Sequence, residues 1–276
     1  MRPLLLSLAA LLLVAGCDTQ APASVPEAAL TSDPAYNALL ADVGGLDGMA
    51  RLLDAGTEAD LRAALARHDI AFERIGVTDA VFDDEANEEA RLAGDTIVDC
   101  PQYFRTADRQ KWIQLVGAGG SESHYIDGSG RPLAAYKRLP PVVTAPRSSY
   151  CQTQIGNWAS PASSYDGGHL IGSQLGGWGR RANIVPQHLN FNRGNWARIE
   201  NQLADCDRLG SGVVAYYVTV SYANGSTLTP YRFTSNVSIS GSAWENAYFS
   251  NTTKGGSNGD AERAGMVSWL QSRGCV

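Results

Sequence analysis

The sequence lacks three features that would each assign it to a simple class. No two of its five cysteines are spaced two to four residues apart, which excludes the usual cysteine zinc site. Its N-terminal apolar run, from Leu4 to Val14, is too short to span a bilayer. No internal repeat is visible. With 276 residues, 44% of them hydrophobic, the chain has the material for one or two globular domains with a real core.

The apolar run has the length and position of a signal-peptide core. It ends in Val14-Ala15-Gly16-Cys17, which resembles the lipobox of bacterial lipoproteins. The resemblance implies lipidation of Cys17 and a location in the bacterial cell envelope, with the chain facing the periplasm or the exterior. An ordinary signal peptide with an unrelated cysteine is the alternative.

Four cysteines remain after Cys17, and an even number in an exported chain favours two disulfides. Four cysteines allow three pairings. We favour Cys100 with Cys151 and Cys206 with Cys275.

Charge is distributed unevenly along the chain. Residues 1–96 carry a net charge of -11 and residues 97–276 a net charge of +5, which together give the whole-chain value of -6. A basic C-terminal part favours nucleic acid as a partner, and a generally solvated surface is the alternative. The acidic run within residues 83–89 is either a solvated helix face or a decoy that occupies a basic cleft.

Hydrophobic spacing predicts an α+β chain with a central antiparallel sheet and flanking helices. Helical spacing begins near Leu39, restarts at the capping box of Thr57 and extends to Ile70 and Phe72. Strands are predicted at residues 112–116, 124–126, 133–139, 213–222 and 227–233, a loop at 144–164, and a last helix from Asp260. The predicted divisions are a signal peptide (1–16), a lipid-anchored flexible tether (17–34), an acidic helical segment (35–95) and a catalytic domain (96–276).

One stretch carries the residues for chemistry. His169 follows two glycines, which let the backbone bend and a phosphate approach, and an imidazole can take a proton near neutral pH. Downstream, Phe191, Trp196, Ile199 and Leu203 recur at helical spacing. Asn192 and Glu200 fall on one side of that helix, and their oxygens suit a hard cation such as Mg²⁺.

These residues together resemble the DNA/RNA non-specific endonuclease family of the ββα-metal superfamily. The matching residues are Asp166-Gly167-Gly168-His169, then Asn183-Ile184-Val185-Pro186-Gln187, then Asn192, Gly194, Trp196 and Glu200. The resemblance implies a ββα-metal motif, His169 as general base and Asn192 as the direct ligand of Mg²⁺ or Mn²⁺. It also implies that Glu200 holds a metal-bound water and that Asn183 orients the site.

The sequence departs from the family at two arginines that contact phosphate. Gly167 replaces the Arg of Asp-Arg-Gly-His, and Ala204 replaces an Arg that some members carry one turn after the glutamate. Arg180, Arg181 and Arg193 lie nearby in sequence and are candidate replacements by charge. Solvated surface is the alternative for all three.

The sequence therefore predicts a lipid-anchored, metal-dependent endonuclease that hydrolyses DNA, with RNA as an open second substrate. One alternative is a catalytically weak nucleic-acid-binding lipoprotein that takes part in DNA uptake. Another is a toxin against neighbouring cells, which a stable membrane tether disfavours. No protein partner can be inferred.

Overall fold

A computed structural model describes residues 31–76, 100–117, 120–139, 144–210 and 212–275 of the chain. Cys17, the signal peptide, all but the last four residues of the tether and the acidic run at 83–89 lie outside these ranges. The predictions made for them therefore stay predictions. No helix in the described ranges is long and apolar enough to cross a membrane.

A sheet of seven described strands forms the centre of the molecule, in the order β1-β2-β3-β4-β7-β8-β9. Its strands are β1 (Ala71–Gly76), β2 (Lys111–Gly117), β3 (Gly120–Ile126), β4 (Pro132–Leu139), β7 (Val214–Ser221), β8 (Arg232–Ile239) and β9 (Glu245–Ser250). All neighbours are antiparallel except β1 and β2. Every residue of β7 is buried, as expected for a central strand covered on both faces. The predicted α+β class is thereby confirmed.

Three helices cover one face of the sheet: α1 (Pro34–Val43), α2 (Gly45–Ala55) and α3 (Glu58–Ala66). The Thr57 and Asp60 side chains form the predicted capping box of α3. The prediction that helical structure extends to Ile70 and Phe72 is wrong. Phe72 lies in β1, because pairing of β1 with β2 satisfies its backbone within the sheet.

This N-terminal layer shares one hydrophobic core with the sheet. Tyr36 of α1 stacks on Tyr125 of β3, with ring centroids 4.7 Å apart. Asp33 caps α1 and also accepts a hydrogen bond from the Gly128 N–H at 2.9 Å, which joins the start of α1 to the turn between β3 and β4. Residues 34–76 therefore pack as part of the folded body.

The opposite face carries α4 (Ser149–Gly156), the hairpin of β5 (Tyr165–His169) and β6 (Ile184–His188), α5 (Ala197–Arg208) and α6 (Gly259–Ser272). A short helical turn, Leu189–Phe191, and a wide π-helical turn, Asn192–Trp196, lead into α5. The predicted stripe of Phe191, Trp196, Ile199 and Leu203 is buried in this layer. The β5–β6–α5 unit is the ββα arrangement predicted from the sequence.

Two further predictions about local structure are wrong. The region 144–164 was expected to be a loop but contains α4, whose Ser148 side chain accepts a hydrogen bond from the Cys151 N–H. The strand expected at 227–233 begins only at Arg232, because the Asn224 side chain accepts hydrogen bonds from Ser226 and Thr227 and holds a turn there.

Disulfides join Cys100 to Cys151 and Cys206 to Cys275, with Cα atoms 5.5 Å and 4.4 Å apart. These are the pairings that the sequence favoured. The first attaches α4 to the segment that precedes β2, and the second joins α5 to the residue that follows α6 by three positions.

Candidate active site

Two hydrogen bonds attach α5 and the π-helical turn before it to the chain on either side of His169. The Asn192 amide Nδ2 donates to the Asp166 carboxylate at 3.0 Å, three residues before His169. The Gly172 N–H donates to the Glu200 carboxylate at 2.6 Å, three residues after it. The hairpin and the helix thereby bring His169, Asn192 and Glu200 into one region of the molecule.

His169 ends β5 with its side chain only 4% exposed. Its Nε2 is buried and has no hydrogen-bond partner among the described residues. Burial, together with the positive charge of Arg147, lowers the pKa of His169 to about 4, while the negative charge of Glu122 acts in the opposite direction. The imidazole is therefore neutral at physiological pH, which is the form that a general base requires.

Glu200 is buried in the first turn of α5. Burial raises the pKa of its carboxyl to about 8, against the lowering effect of the Gly172 N–H. A Cβ atom on Gly172 would collide with this carboxylate, so the close approach requires glycine at that position.

Asp166 organises the exposed edge of the site. The Arg193 guanidinium donates to both of its carboxylate oxygens, at 2.8 and 2.6 Å, beside the bond from Asn192. Although burial acts to raise it, these hydrogen bonds hold the pKa of Asp166 below its usual value. Because Asn192 uses its Nδ2 on Asp166, its amide orientation is fixed with Oδ1 as the remaining ligand atom.

Asn183 has its amide bonded to the backbone around His169. Its Oδ1 accepts from the Ile171 N–H at 3.0 Å, and its Nδ2 donates to the carbonyls of Ile171 and Trp178 at 2.8 and 2.9 Å. The side chain is fully buried. In this geometry Asn183 orients the loop that follows His169, and its side-chain oxygen and nitrogen are already bonded.

The structure contradicts two of the three predicted phosphate contacts. Arg181 is 0% exposed, and its guanidinium donates to the carbonyls of Ile184 and Pro101. Arg180 is also buried, and its guanidinium contacts the sulphur of Cys151 at 3.9 Å. Both arginines hold the fold together around α4 and β6. Arg193, 70% exposed and paired with Asp166, remains a candidate for phosphate binding.

The packing of α4 explains why glycine occupies position 167. A Cβ atom there would collide with the backbone of Gln152 in α4, so no side chain fits.

The segment that leads into α4 carries Arg147, an exposed residue whose charge acts to lower the pKa of Asp166, His169 and Glu200. Arg147 was not predicted, because no local pattern indicates that residues 144–148 lie near His169.

An open cleft of about 500 Å³ lies between α4, β5 and the π-helical turn. Its lining includes Arg147, Gln152, Asp166, Asn192 and Arg193. The cleft is therefore polar, with two exposed arginines, and suits an anionic ligand better than an apolar one.

The family model of DNA/RNA non-specific endonucleases matches residues 113–241, which include β5, β6 and α5. The match spans a little under half of the chain. The resemblance predicted from the sequence is thus confirmed for residues 113–241, and the match supports a nuclease, which is a hydrolase.

Solved nuclease structures resemble part of this chain. NucA from Streptococcus agalactiae, without metal, is 21% identical over 48% of this chain and 70% of its own, with a TM-score of 0.39. The same protein with magnesium bound is also 21% identical over 48% of this chain and 70% of its own, with a TM-score of 0.40. The Sda1 nuclease with bound zinc is 22% identical over 49% of this chain and 76% of its own, with a TM-score of 0.36.

The donor atoms of the candidate site fit a divalent cation that keeps most of its water. No cluster of three His, Cys, Asp or Glu side chains that could hold a metal occurs in the part of the chain that the structure describes. The available ligands are the amide oxygen of Asn192 and the carboxyl oxygens of Glu200, whose raised pKa a bound cation would lower by favouring the ionised form. Mg²⁺ is commonly held by one or two protein oxygens together with substrate phosphate.

Proposed function

We propose that the chain is a metal-dependent, largely sequence-independent endonuclease that cleaves phosphodiester bonds of DNA, with RNA as a second substrate. The observation that carries the proposal is the neutral imidazole of His169, with an Nε2 that lacks a protein partner among the described residues. Arg147 acts on its pKa, and the chain three residues to either side of it is bonded to Asn192 and Glu200. A buried nitrogen of this kind is commonly satisfied by water.

In the proposed reaction, His169 Nε2 takes a proton from water while the water oxygen attacks the phosphorus. The bond from phosphorus to the 3′ oxygen breaks, and that oxygen takes a proton from solvent, which leaves a 5′-phosphorylated fragment. Arg147 and Arg193 bind the phosphate oxygens and orient them for in-line attack. Asn183 keeps the loop after His169 in place.

Asn192 and Glu200 would hold the divalent cation. When bound, Mg²⁺ or Mn²⁺ supplies positive charge against the negative charge that develops on the phosphate during the reaction. The Asp166 carboxylate fixes the Asn192 amide and the Gly172 N–H fixes Glu200, so both ligands are oriented before substrate arrives.

Digestion of supercoiled plasmid and of structured RNA, with and without EDTA, tests the proposal. We expect nicking and then fragmentation in Mg²⁺, loss of both in EDTA and recovery when Mg²⁺ or Mn²⁺ is added back. Binding of DNA without cleavage in any divalent cation would instead support the nucleic-acid-binding lipoprotein, in which uptake and not hydrolysis is the function.

We further propose that lipid attached to Cys17 holds the enzyme in the bacterial cell envelope. The support is the sequence Val14-Ala15-Gly16-Cys17. Fractionation of cells that express the full chain tests this, because Cys17→Ser should move the protein from the membrane fraction to the soluble fraction. Membrane association that survives the substitution would contradict it.

A further inference from the structure

A second cleft lies next to the candidate active site. Its volume is about 540 Å³, and its walls include residues from α5, α6 and the turn at 253–255. Asn190 and Gly194 line this cleft, whereas Asn192 and Arg193, between them in sequence, line the first one. The two clefts are therefore separated only by the chain segment 190–195.

Three cations line the second cleft: Arg198 on α5, Lys254 in the turn and Arg263 on α6. Asp260 is the acidic residue of the lining and forms a 3.3 Å ion pair with Lys254. Hydrogen bonds from Asn195 and Lys254 lower the pKa of Asp260, so it is ionised at neutral pH. The lining keeps an excess of two positive charges.

The backbone of Lys254 is fixed by the buried side chain of Asn195. Its φ of 60° is left-handed, which is uncommon for a residue other than glycine. The buried Asn195 holds this conformation, because its Nδ2 donates to the Lys254 carbonyl at 2.7 Å and to Asp260 at 3.0 Å. A strained residue that neighbouring contacts retain is a candidate for a functional role.

We propose that the second cleft binds the phosphodiester backbone of the same nucleic-acid strand, to one side of the phosphate that is cleaved. The inference rests on the proposed function, because it needs a strand lying in the first cleft. A strand that leaves that cleft across residues 190–195 enters the second one directly. Arginine and lysine contacts to phosphate carry no sequence information, which agrees with cleavage that is largely sequence-independent.

The test compares oligonucleotide binding by two triple variants. In the first, Arg198→Gln, Lys254→Asn and Arg263→Gln remove the cations of the second cleft, and asparagine is chosen because it tolerates left-handed backbone. In the matched control, Arg62 of α3, Arg67 directly after α3 and Arg74 of β1, across the sheet, are changed to Gln. Binding of a 20-nucleotide single strand is measured by fluorescence anisotropy in EDTA over a range of salt concentrations.

We expect the cleft variant to bind about tenfold or more weakly at low salt. The slope of log affinity against log salt should fall by about 2, since each lost phosphate contact removes about 0.7 from the slope. The control should bind as the wild type does. Cleavage of a dinucleotide in Mg²⁺, which is too short to reach the second cleft, should be unchanged in both variants.

An unchanged slope and affinity in the cleft variant, with thermal melting like that of the wild type, would overturn the inference. So would weaker binding to phosphatidylglycerol vesicles with intact oligonucleotide binding, because the cleft would then serve a lipid surface. If the variant melts early, Arg198→Gln alone replaces it under the same criteria. A wild type that binds with the expected slope but cleaves nothing would refute the proposed hydrolysis and leave the second cleft standing.

Discussion

At the scale of single residues, Arg147 and His169 are coupled by charge. The positive charge of Arg147 is the second cause of the low pKa of His169, after burial. The same guanidinium lies on the exposed side of the first cleft, where an incoming phosphate would meet it. One side chain therefore adds to the low pKa of His169 and, in the proposed function, attracts the substrate.

Removing this charge should have two separable effects. Arg147→Gln should raise KM for oligonucleotides by about tenfold, on the scale of one charged hydrogen bond. It should also raise the pKa of His169, by less than the full shift because burial remains. Steady-state kinetics and imidazole NMR in the metal-free protein measure the two effects. An unchanged KM would remove Arg147 from phosphate binding.

Replacing the base should remove most of the catalysis. We expect His169→Ala to lower kcat by at least about a hundredfold, the usual contribution of a general base, with little change in oligonucleotide binding. Single-turnover cleavage and anisotropy measure these quantities. Arg208→Gln, an exposed change on the last turn of α5, is the matched control and should leave kcat unchanged. Retention of most activity in His169→Ala would refute the assignment.

The pH dependence follows from the sign of the His169 shift. Its pKa is about 4 in the folded chain, below the ordinary value of 6.5, so the neutral base persists as pH falls from 7 towards 4. The unfolded chain takes up this proton near pH 6.5, and the free energy of unfolding should therefore decrease with falling pH between about 6.5 and 4. Chemical denaturation of wild type and His169→Asn across that range measures it. Identical slopes in both proteins would contradict the shift.

At the scale of elements, α4 determines the shape of the site. It packs so closely on β5 that no side chain fits at position 167, and the Cys100–Cys151 disulfide attaches it to the preceding segment. Since Arg147 lies directly before α4, movement of this helix would displace a cleft arginine. The helix that was predicted as a loop is thus part of the layer that carries β5, β6 and α5.

Adding a side chain at position 167 should lower both the stability and the activity of the protein. Gly167→Ala should cost about 1–3 kcal/mol, the usual penalty for overpacking, and should lower activity by displacing α4. Gly265→Ala is the matched control, because a Cβ atom there meets nothing within 4 Å inside α6, and it should be neutral or stabilising. Melting temperature and plasmid cleavage provide the readouts. A Gly167→Ala enzyme that is as stable and active as the wild type would contradict the close packing.

At the scale of the whole molecule, the N-terminal helices are part of the core. Tyr36, Leu39 and Leu40 of α1 are fully buried with Trp112 and Tyr125 of the sheet. A chain without residues 31–76 would expose these sheet side chains and lose the edge strand β1. We expect it to be insoluble or to melt far below the full chain, by circular dichroism. Full stability and activity after this deletion would show that the N-terminal layer is dispensable.

The sequence predicted those features that depend on local spacing. The capping box at Thr57, the buried stripe from Phe191 to Leu203 and the ββα order around His169 all follow from periodicity or motif. Contacts between distant segments were not predictable in the same way. The parallel pairing of β1 with β2, and the approach of α4 that brings Arg147 to the site, depend on tertiary packing that no local pattern reports.

The burial of Arg181 contradicts a role that the sequence predicted, because that burial also depends on tertiary packing. Arg181 was predicted to contact phosphate because of its charge and its proximity in sequence to the site. Its guanidinium instead donates to backbone carbonyls in the interior. An arginine that bonds to the backbone and one that faces solvent contribute the same charge to the composition. The exposed pair of Arg193 with Asp166 became visible only with the fold.

The backbone of Gln152 occupies the place where a family arginine would follow Asp166. Genome surveys that require the four-letter signature Asp-Arg-Gly-His will therefore pass over chains built in this way and undercount such nucleases. A search rule that accepts glycine there, together with an arginine just ahead of the packed helix, would recover them.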